Sequence, residues 1–79
     1  MPTIRFFAAA ADVIGSDELL IDASTVGELR ARIRRDFGES AARVVDKCSV
    51  LVDGVRASSD EASISESDVV DILPPFAGG

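Results

Sequence analysis

The chain has 79 residues, of which 47% are hydrophobic and 28% charged, with a formal net charge of −6 and no histidine. This length allows a single domain with a small core, and this composition is typical of a folded chain rather than a disordered one. The acidic balance argues against nucleic acid as a partner, because phosphate binding needs a dominant basic surface. A cationic surface on a partner protein fits the charge better.

The cysteine content and the N-terminus indicate the compartment. Cys48 is the only cysteine, which excludes an internal disulfide and argues against a secreted, disulfide-stapled fold. The apolar run Phe6–Ala11 spans six residues before Asp12, too few for the core of a signal peptide. No segment approaches the length of a membrane span. We therefore expect a cytoplasmic protein with no membrane association.

The N-terminal part of the sequence predicts a β-hairpin with a long loop. Thr3–Ala8 forms the first strand, in which Ile4 and Phe6 point to one face. Gly15-Ser16-Asp17 is a turn signal, and Glu18–Asp22 reads as the second strand.

A helix follows the hairpin. Thr25 and Glu28 have the spacing of a capping box, in which each side chain satisfies a free backbone donor at the helix start. Gly38 is placed to end the helix as a C-cap. The helix presents one apolar face, made of Val26, Leu29, Ile33 and Phe37.

The second half of the sequence predicts short strands separated by turns. Asp53-Gly54 is the strongest short hairpin signal in the chain. The segments are, in order, a helical turn at Ala41–Lys47, a strand at Cys48–Val52, a brief strand at Val55–Ala57, a loop at Ser58–Asp68 and a last strand at Val69–Leu73.

This order of elements predicts an α+β fold. One main helix would pack across one face of a mixed sheet of four to five strands. The first and last strands would lie side by side at the centre, an arrangement known as the β-grasp or ubiquitin-like fold. Residues 1–73 would form the domain and residues 74–79 an extended tail.

Alternation along the strands predicts a partner-binding surface on the sheet. Arg5 and Asp71 should interrupt this surface and could set register with a partner. The face toward the helix would contain Ile4, Phe6, Val50, Val52, Val70 and Ile72, and the opposite face would gather Phe7, Leu51, Val69 and Leu73 into an exposed apolar patch. The alternative is a shallow, partly covered sheet face.

The sequence ends in LPPFAGG, in which Leu73 is the last residue of the predicted strand and the tail follows it. Pro74 and Pro75 cannot donate to a β-ladder, so they end the last strand and stiffen an exit that could reach roughly 20 Å. Gly78 and Gly79 carry no side chain and could enter a channel too narrow for other residues. The reactive group is then the α-carboxylate of Gly79, which ATP could activate as an acyl-adenylate. The alternative is a frayed terminus that happens to end in glycine.

Four motifs carry a family resemblance over nearly the whole chain: IRFFAAAADVIG, TVGELR, VDG and DVVDILPPFAGG. With them the chain resembles the ubiquitin-like sulfur carriers of the MoaD/ThiS type, and most closely the small subunit of molybdopterin synthase. The most specific motif is the terminal PPFAGG. One departure is the aromatic side chain of Phe76, where many members are expected to have a smaller apolar residue.

The resemblance implies a non-catalytic sulfur-donor subunit that binds no cofactor of its own. An E1-like adenylyltransferase/sulfurtransferase would use ATP to adenylate Gly79 and convert it to a thiocarboxylate. The tail, with Gly78 allowing threading, would then enter the large subunit of molybdopterin synthase and supply the dithiolene sulfurs. Contacts to the partner would come from the apolar patch and from Pro74, Pro75, Phe76 and Ala77.

Other functions remain open at this point. A related carrier could deliver sulfur to thiazole or cysteine biosynthesis, and a protein modifier could form an isopeptide bond through Gly79. A plain binding module is the third class. A thiocarboxylate separates carriers from the last two, and a stable complex with a large synthase subunit separates the molybdopterin carrier from other carriers.

Two further features are interpreted as structural. The arginines between Arg30 and Arg35 read as a solvated helix face, with Glu28 and Arg32 forming an i,i+4 ion pair. Cys48 begins a strand with core alternation and should be a buried small residue, since no histidine is present to activate it.

Overall fold

The computed structural model describes residues 1–75, so the predictions made for Phe76, Ala77, Gly78 and Gly79 lie outside the described residues. The described part contains five strands and three helices. In chain order these are β1 Thr3–Phe6, α1 Ala9–Ile14, β2 Glu18–Leu20, α2 Val26–Phe37, α3 Glu39–Asp46, β3 Ser49–Val52, β4 Val55–Arg56 and β5 Val69–Leu73.

The strands form one sheet in the order β2-β1-β5-β3-β4. β1 and β5 are parallel neighbours, with Arg5 opposite Asp71 and Phe6 opposite Ile72. All other pairs are antiparallel, including the β3–β4 hairpin in which Val52 lies opposite Val55. The central placement of the first and last strands confirms the predicted α+β, β-grasp fold.

The main helix begins and ends where the sequence predicts. Thr25 Oγ1 accepts a hydrogen bond from the Glu28 backbone N–H at 3.1 Å, and the Glu28 carboxylate accepts one from the Ser24 N–H at 3.2 Å. Gly38, with a φ of 92°, ends α2 and donates its N–H to the Arg34 carbonyl. A positive φ is strained for other residues, so this glycine sets the sharp change of direction into α3.

The core lies between the helices and one face of the sheet. The predicted strand positions Ile4, Phe6, Val50, Val70 and Ile72 are buried, and Val52 is half-buried. They pack with Leu29 and Ile33 of α2 in one cluster. Full burial of such side chains contributes about 1.5–3 kcal/mol each, so this layer supplies most of the stabilisation of a small domain.

The prediction that Phe37 completes the apolar face of α2 is wrong, because Phe37 is 38% exposed. α2 ends at this residue, and α3 starts immediately after Gly38. The buried side chains of α3, Ala41, Ala42 and Val45, cover the core where a longer α2 would have done so.

The predicted long loop between β1 and β2 is also wrong, because it contains α1. A run of alanines has the highest intrinsic helix propensity, and Ala10 and Ile14 lie one turn apart and are both buried. Gly15 closes the helix in the left-handed region, with its N–H bonded to the Ala11 carbonyl. α3 likewise has eight residues, where the sequence predicted a single helical turn.

The segment between β4 and β5 contains no helix or named strand, as predicted, but it is anchored. Ile64 is buried in the core, and its N–H donates to the Ser24 carbonyl at 2.9 Å. The Val26 N–H donates in turn to the Ala62 carbonyl at 3.0 Å. These contacts hold the segment against the start of α2. Within residues 1–75, no helix combines the length and the apolar character that a membrane crossing requires.

Candidate functional site

Within residues 1–75, no helix packs on one face of the sheet, and we call this face the open face. Residues paired across neighbouring strands share a face, so the strand registers define its members. Phe7, just after β1, continues the ladder by donating its N–H to the Ile72 carbonyl at 3.1 Å. The open face contains Thr3, Arg5, Glu18, Leu20, Ser49, Leu51, Arg56, Val69, Asp71 and Leu73.

The structure brings the predicted patch residues to this open face. Leu51, Val69 and Leu73 are half-buried and Phe7 is exposed. Their neighbours on the opposite face are buried, except for Val52, which is half-buried. The alternation predicted from the strands is therefore confirmed by burial. That these residues bind a partner stays a prediction.

Arg5 and Asp71 meet at the centre of the open face. Arg5 Nε donates to Asp71 Oδ1 at 2.6 Å, and Arg5 Nη2 donates to Oδ2 at 2.8 Å, which is the fork geometry of a strong charged pair. The hydrogen bond that Arg5 donates to Asp71, and then the negative charge of Asp71, raise the pKa of Arg5. Arg5 Cζ also lies 5.8 Å from the centroid of the Phe7 ring, a cation–π distance. The two residues expected to set register with a partner are thus bound to each other within the chain.

This pair belongs to a charged row that divides the open face. The strand registers give the order of this row, from one sheet edge to the other, as Glu18, Arg5, Asp71, Leu51 and Arg56. Val69 lies on one side of the row, next to Thr3. Phe7 and Leu73 lie on the other side, where the chain leaves the sheet. Arg5 and Asp71 therefore lie between Phe7 and Leu73 at the exit and Val69 at the other end, and Leu51 is the apolar member of the row itself.

The chain leaves the sheet from its centre. β5 is paired with β1 on one side and β3 on the other, up to Leu73. Pro74 is half-buried and Pro75 is exposed. Because proline has no N–H, the ladder cannot continue, and the strand ends as predicted. The functional predictions for Phe76, Ala77, Gly78 and Gly79, which follow in the sequence, stay predictions.

A cavity of about 320 Å³, which we call the exit pocket, lies on the helix side of this exit. Sequence reasoning missed it because α1 was expected to be a loop. The available signal was the i,i+4 spacing of two cations, Arg43 in the last turn of α3 and Lys47 at its C-cap. The pocket is lined by Ala9, Arg43, Val44, Lys47, Pro74 and Pro75.

A second cavity of about 380 Å³ lies between α2, α3 and the segment before β5, away from the exit. Its charges are paired with one another. Arg30 contacts Asp60 at 3.1 Å and Asp46 at 3.3 Å, and Arg34 contacts Asp46 at 3.1 Å. These pairs tie the helices together and leave no free charge for a ligand, which fits the interpretation of the arginines as a structural face.

The predicted Glu28–Arg32 ion pair is absent from the part of the chain that the structure describes. The Glu28 carboxylate turns back to the Ser24 N–H at the helix start instead. The capping role of Glu28 therefore replaces the surface pairing expected from i,i+4 spacing.

Cys48 is buried, with 7% of its surface exposed, as the sequence predicts. Its thiol donates to the Val44 carbonyl at 3.2 Å, and burial raises its pKa. A buried thiol with a raised pKa holds its proton near neutral pH, so it is a poor nucleophile. Cys48 acts as core.

The domain has its last strand at the sheet centre, directly followed by two prolines, and known proteins share its fold. The model of the ThiS family matches residues 4–79. The chain belongs to the ThiS family. This ThiS-family chain is accordingly a member of a family of ubiquitin-like sulfur carriers, as the resemblance in its sequence implied. No curated protein matches the chain.

Solved structures resemble this ThiS-family chain over nearly its whole length. SAMP1 from Haloferax volcanii is 26% identical with a TM-score of 0.78, covering 99% of this chain and 98% of that one. A chain of the complex of subunits 1 and 2 of molybdopterin-converting factor from Helicobacter pylori is 24% identical with a TM-score of 0.73, covering 99% and 97%. A chain of the Amycolatopsis orientalis BexX/CysO complex is 21% identical with a TM-score of 0.81, covering 100% of each. The last two likenesses concern the fold alone.

Proposed function

We propose that this ThiS-family chain is the sulfur-carrying small subunit of molybdopterin synthase. The observation that carries the proposal is the position of β5. It is held on both sides at the centre of the sheet, and it delivers Pro74-Pro75 out of the domain directly before the sequence Phe76–Gly79. A rigid domain would thus present the terminal glycines to an enzyme at a fixed point.

In the proposed activation, all catalytic groups belong to an E1-like partner that uses ATP. A carboxylate oxygen of Gly79 attacks the α-phosphorus of ATP, and pyrophosphate leaves. A persulfide sulfur of the partner then attacks the acyl carbon and displaces AMP. A second thiol of the partner attacks the resulting acyl disulfide at the sulfur that belongs to the partner's own cysteine. The S–S bond breaks, a disulfide forms within the partner, and the acyl-bound sulfur leaves as the thiocarboxylate of Gly79. The net change is one oxygen of Gly79 replaced by sulfur.

In the proposed transfer, the thiocarboxylated tail enters the active site of the large synthase subunit. Each carrier brings one sulfur and leaves with a carboxylate, so two carriers are needed for the two sulfurs of a dithiolene. Phe7 and Leu73 lie beside the exit on the open face, where a docked subunit would cover them. The complex of subunits 1 and 2 in the Helicobacter pylori protein supports a partner of this kind.

A second candidate function is protein modification, which the 26% identity to the small archaeal modifier SAMP1 favours. In that case a lysine amine would attack the activated carbonyl of Gly79, and an isopeptide bond would form. The likeness to a chain of the BexX/CysO complex is likewise compatible with a carrier for cysteine synthesis. Such a carrier would also form a thiocarboxylate but would pass its sulfur to a different acceptor.

The proposal is tested by reconstitution. The thiocarboxylated chain is mixed with the large synthase subunit and the cyclic pyranopterin precursor, and the product is identified by mass spectrometry. We expect a product that contains two more sulfurs, and none when the chain carries an ordinary Gly79 carboxylate. A stable thiocarboxylate that transfers no sulfur here, but does transfer it to a cysteine or thiazole precursor, would contradict the molybdopterin assignment.

A further inference from the structure

Arg43 and Lys47 are two cations at the C-terminal end of α3, in a chain that is acidic overall. Arg43 lies in the last turn of α3, and Lys47, four positions later, is the residue that caps this helix end. The helix dipole favours a cation at this end, but the two like charges repel each other. Neither forms an ion pair within residues 1–75, although the chain carries a net charge of −6. Arg32 and Arg56 are likewise without an ion pair in this part of the chain, so what distinguishes Arg43 and Lys47 is that both line the same cavity.

Both of these cations line the exit pocket, and the remaining walls are apolar. Ala9, Val44, Pro74 and Pro75 form these walls. The cavity of about 320 Å³ has room for one large side chain. A segment that complements the exit pocket has an apolar side chain flanked by carboxylates. A neutral segment would leave Arg43 and Lys47 without opposite charges.

The location of the pocket points to the protein that receives the tail. Pro74 and Pro75 form one wall of the pocket, and Leu73, just before them, belongs to the open face. The exit therefore has an apolar surface on its sheet side and a basic pocket on its helix side. A protein that encloses the tail from its base must approach both.

We propose that the exit pocket binds an acidic segment of the large synthase subunit that carries an apolar side chain, at the mouth of the channel that takes the tail. This inference rests on the proposed function, since it assigns a second contact to the same complex. The open face and the exit pocket then hold the domain from two sides, which fixes the direction in which the tail enters.

Lys47 allows a direct test, because it is the only lysine in the chain. A carbodiimide joins an amine to a carboxylate only when the two are in contact. Treatment of the complex with the large subunit should link Lys47 to an aspartate or glutamate of that subunit, which peptide mass spectrometry identifies. The control Lys47→Arg keeps the charge, so it should bind equally well and lose the link. A complex that forms without any Lys47 link would overturn the proposal.

A matched pair of charge reversals provides the second measurement. Arg43→Glu should weaken binding of the large subunit by about tenfold, since attraction becomes repulsion, and the loss should shrink as salt is added. Arg32→Glu makes the same charge change on α2, outside the exit pocket, and should leave the affinity within about twofold of the wild type. If both reversals weakened binding equally, the loss would come from the overall charge of the chain and not from the exit pocket, and the proposal would be overturned.

These outcomes separate the two proposals. If the wild-type chain binds the large subunit and transfers sulfur while Arg43→Glu behaves like the wild type, the exit pocket assignment fails and the proposed function stands. If the wild-type chain is not bound at all, although it accepts sulfur on Gly79, both assignments to the large subunit fail together.

Discussion

Arg5 and Asp71 are 66 positions apart in the sequence, yet the Arg5 guanidinium holds both oxygens of the Asp71 carboxylate across the parallel β1–β5 pair. The pair joins the first and last strands of the domain on the face opposite the core. The register that buries Phe6 and Ile72 on one face thus places opposite charges together on the other. The same residues hold the strand from which the tail departs.

Replacing Asp71 by asparagine should lower the urea midpoint of unfolding, because the charge that binds Arg5 is removed while the shape is kept. The wild type should lose part of this difference in high salt, since much of the Arg5 side chain is exposed and its charge is screened. Glu66→Gln, in an exposed loop position, is the control and should hardly move the midpoint. Equal midpoints for all three chains would show that the pair contributes nothing measurable.

Replacing single residues of α2 by alanine should separate Ile33, which lies in the core, from Phe37, which was wrongly predicted to lie there. Ile33 is fully buried, so Ile33→Ala should cost about 2–5 kcal/mol in free energy of unfolding. Phe37 is 38% exposed, so Phe37→Ala should cost less than about 1 kcal/mol. Denaturant unfolding measures both, and a larger loss at Phe37 would contradict the packing described for the α2–α3 junction.

The loss of folding stability at low pH should include a contribution from Asp36. Its hydrogen bond with Arg35 lowers the pKa of Asp36 below the ordinary 3.8. A lowered folded-state pKa stabilises the fold above the unfolded value, and this contribution is lost as pH falls through the folded-state pKa. Carboxyl NMR titration should show the pKa of Asp36 rising in Arg35→Gln. An unchanged titration curve in that variant would remove Arg35 as the cause.

The thiol of Cys48 should react slowly with an alkylating reagent in the folded protein. It is buried, it donates to the Val44 carbonyl, and its pKa is raised, so little thiolate is exposed at mildly alkaline pH. In urea the rate should rise to that of an ordinary thiol. Fast alkylation of the native chain, followed by mass spectrometry, would contradict the buried position.

Leu73→Asp should weaken binding of the large synthase subunit by about tenfold or more, because it places a charge on the open face beside the exit. Val55→Asp is the matched control. Val55 is 71% exposed and paired with Val52 of the opposite face, so its replacement should leave affinity unchanged. If both variants bind like the wild type, the open face is not the docking surface.

Local signals predicted the elements that form most of the core. The capping residues Thr25 and Glu28 with Gly38 define α2 because their hydrogen bonds are local. The period of two along β5 assigns Val70 and Ile72 to the core and Leu73 to the other face. These patterns depend only on near neighbours in the chain, so the sequence alone predicts them.

Other features depend on contacts that a local pattern does not contain. α1 has six residues, and a helix of that length is stable only through packing, here by Ala10 and Ile14. The Arg5–Asp71 pair requires the β1–β5 register. The exit pocket requires α1, α3 and the prolines after β5 to meet, so Arg43 and Lys47 become a site only in the folded chain.

The central claim is that Gly79 carries sulfur, and the intact mass of the chain tests it most directly. The chain is incubated with ATP, an E1-like activating enzyme and a persulfide donor, next to a competent carrier and a variant that lacks Gly79. We predict a gain equal to the exchange of one oxygen for one sulfur, located on the C-terminal peptide and absent from the truncated variant. An unchanged mass, while the competent carrier gains sulfur in the same mixture, would contradict the account.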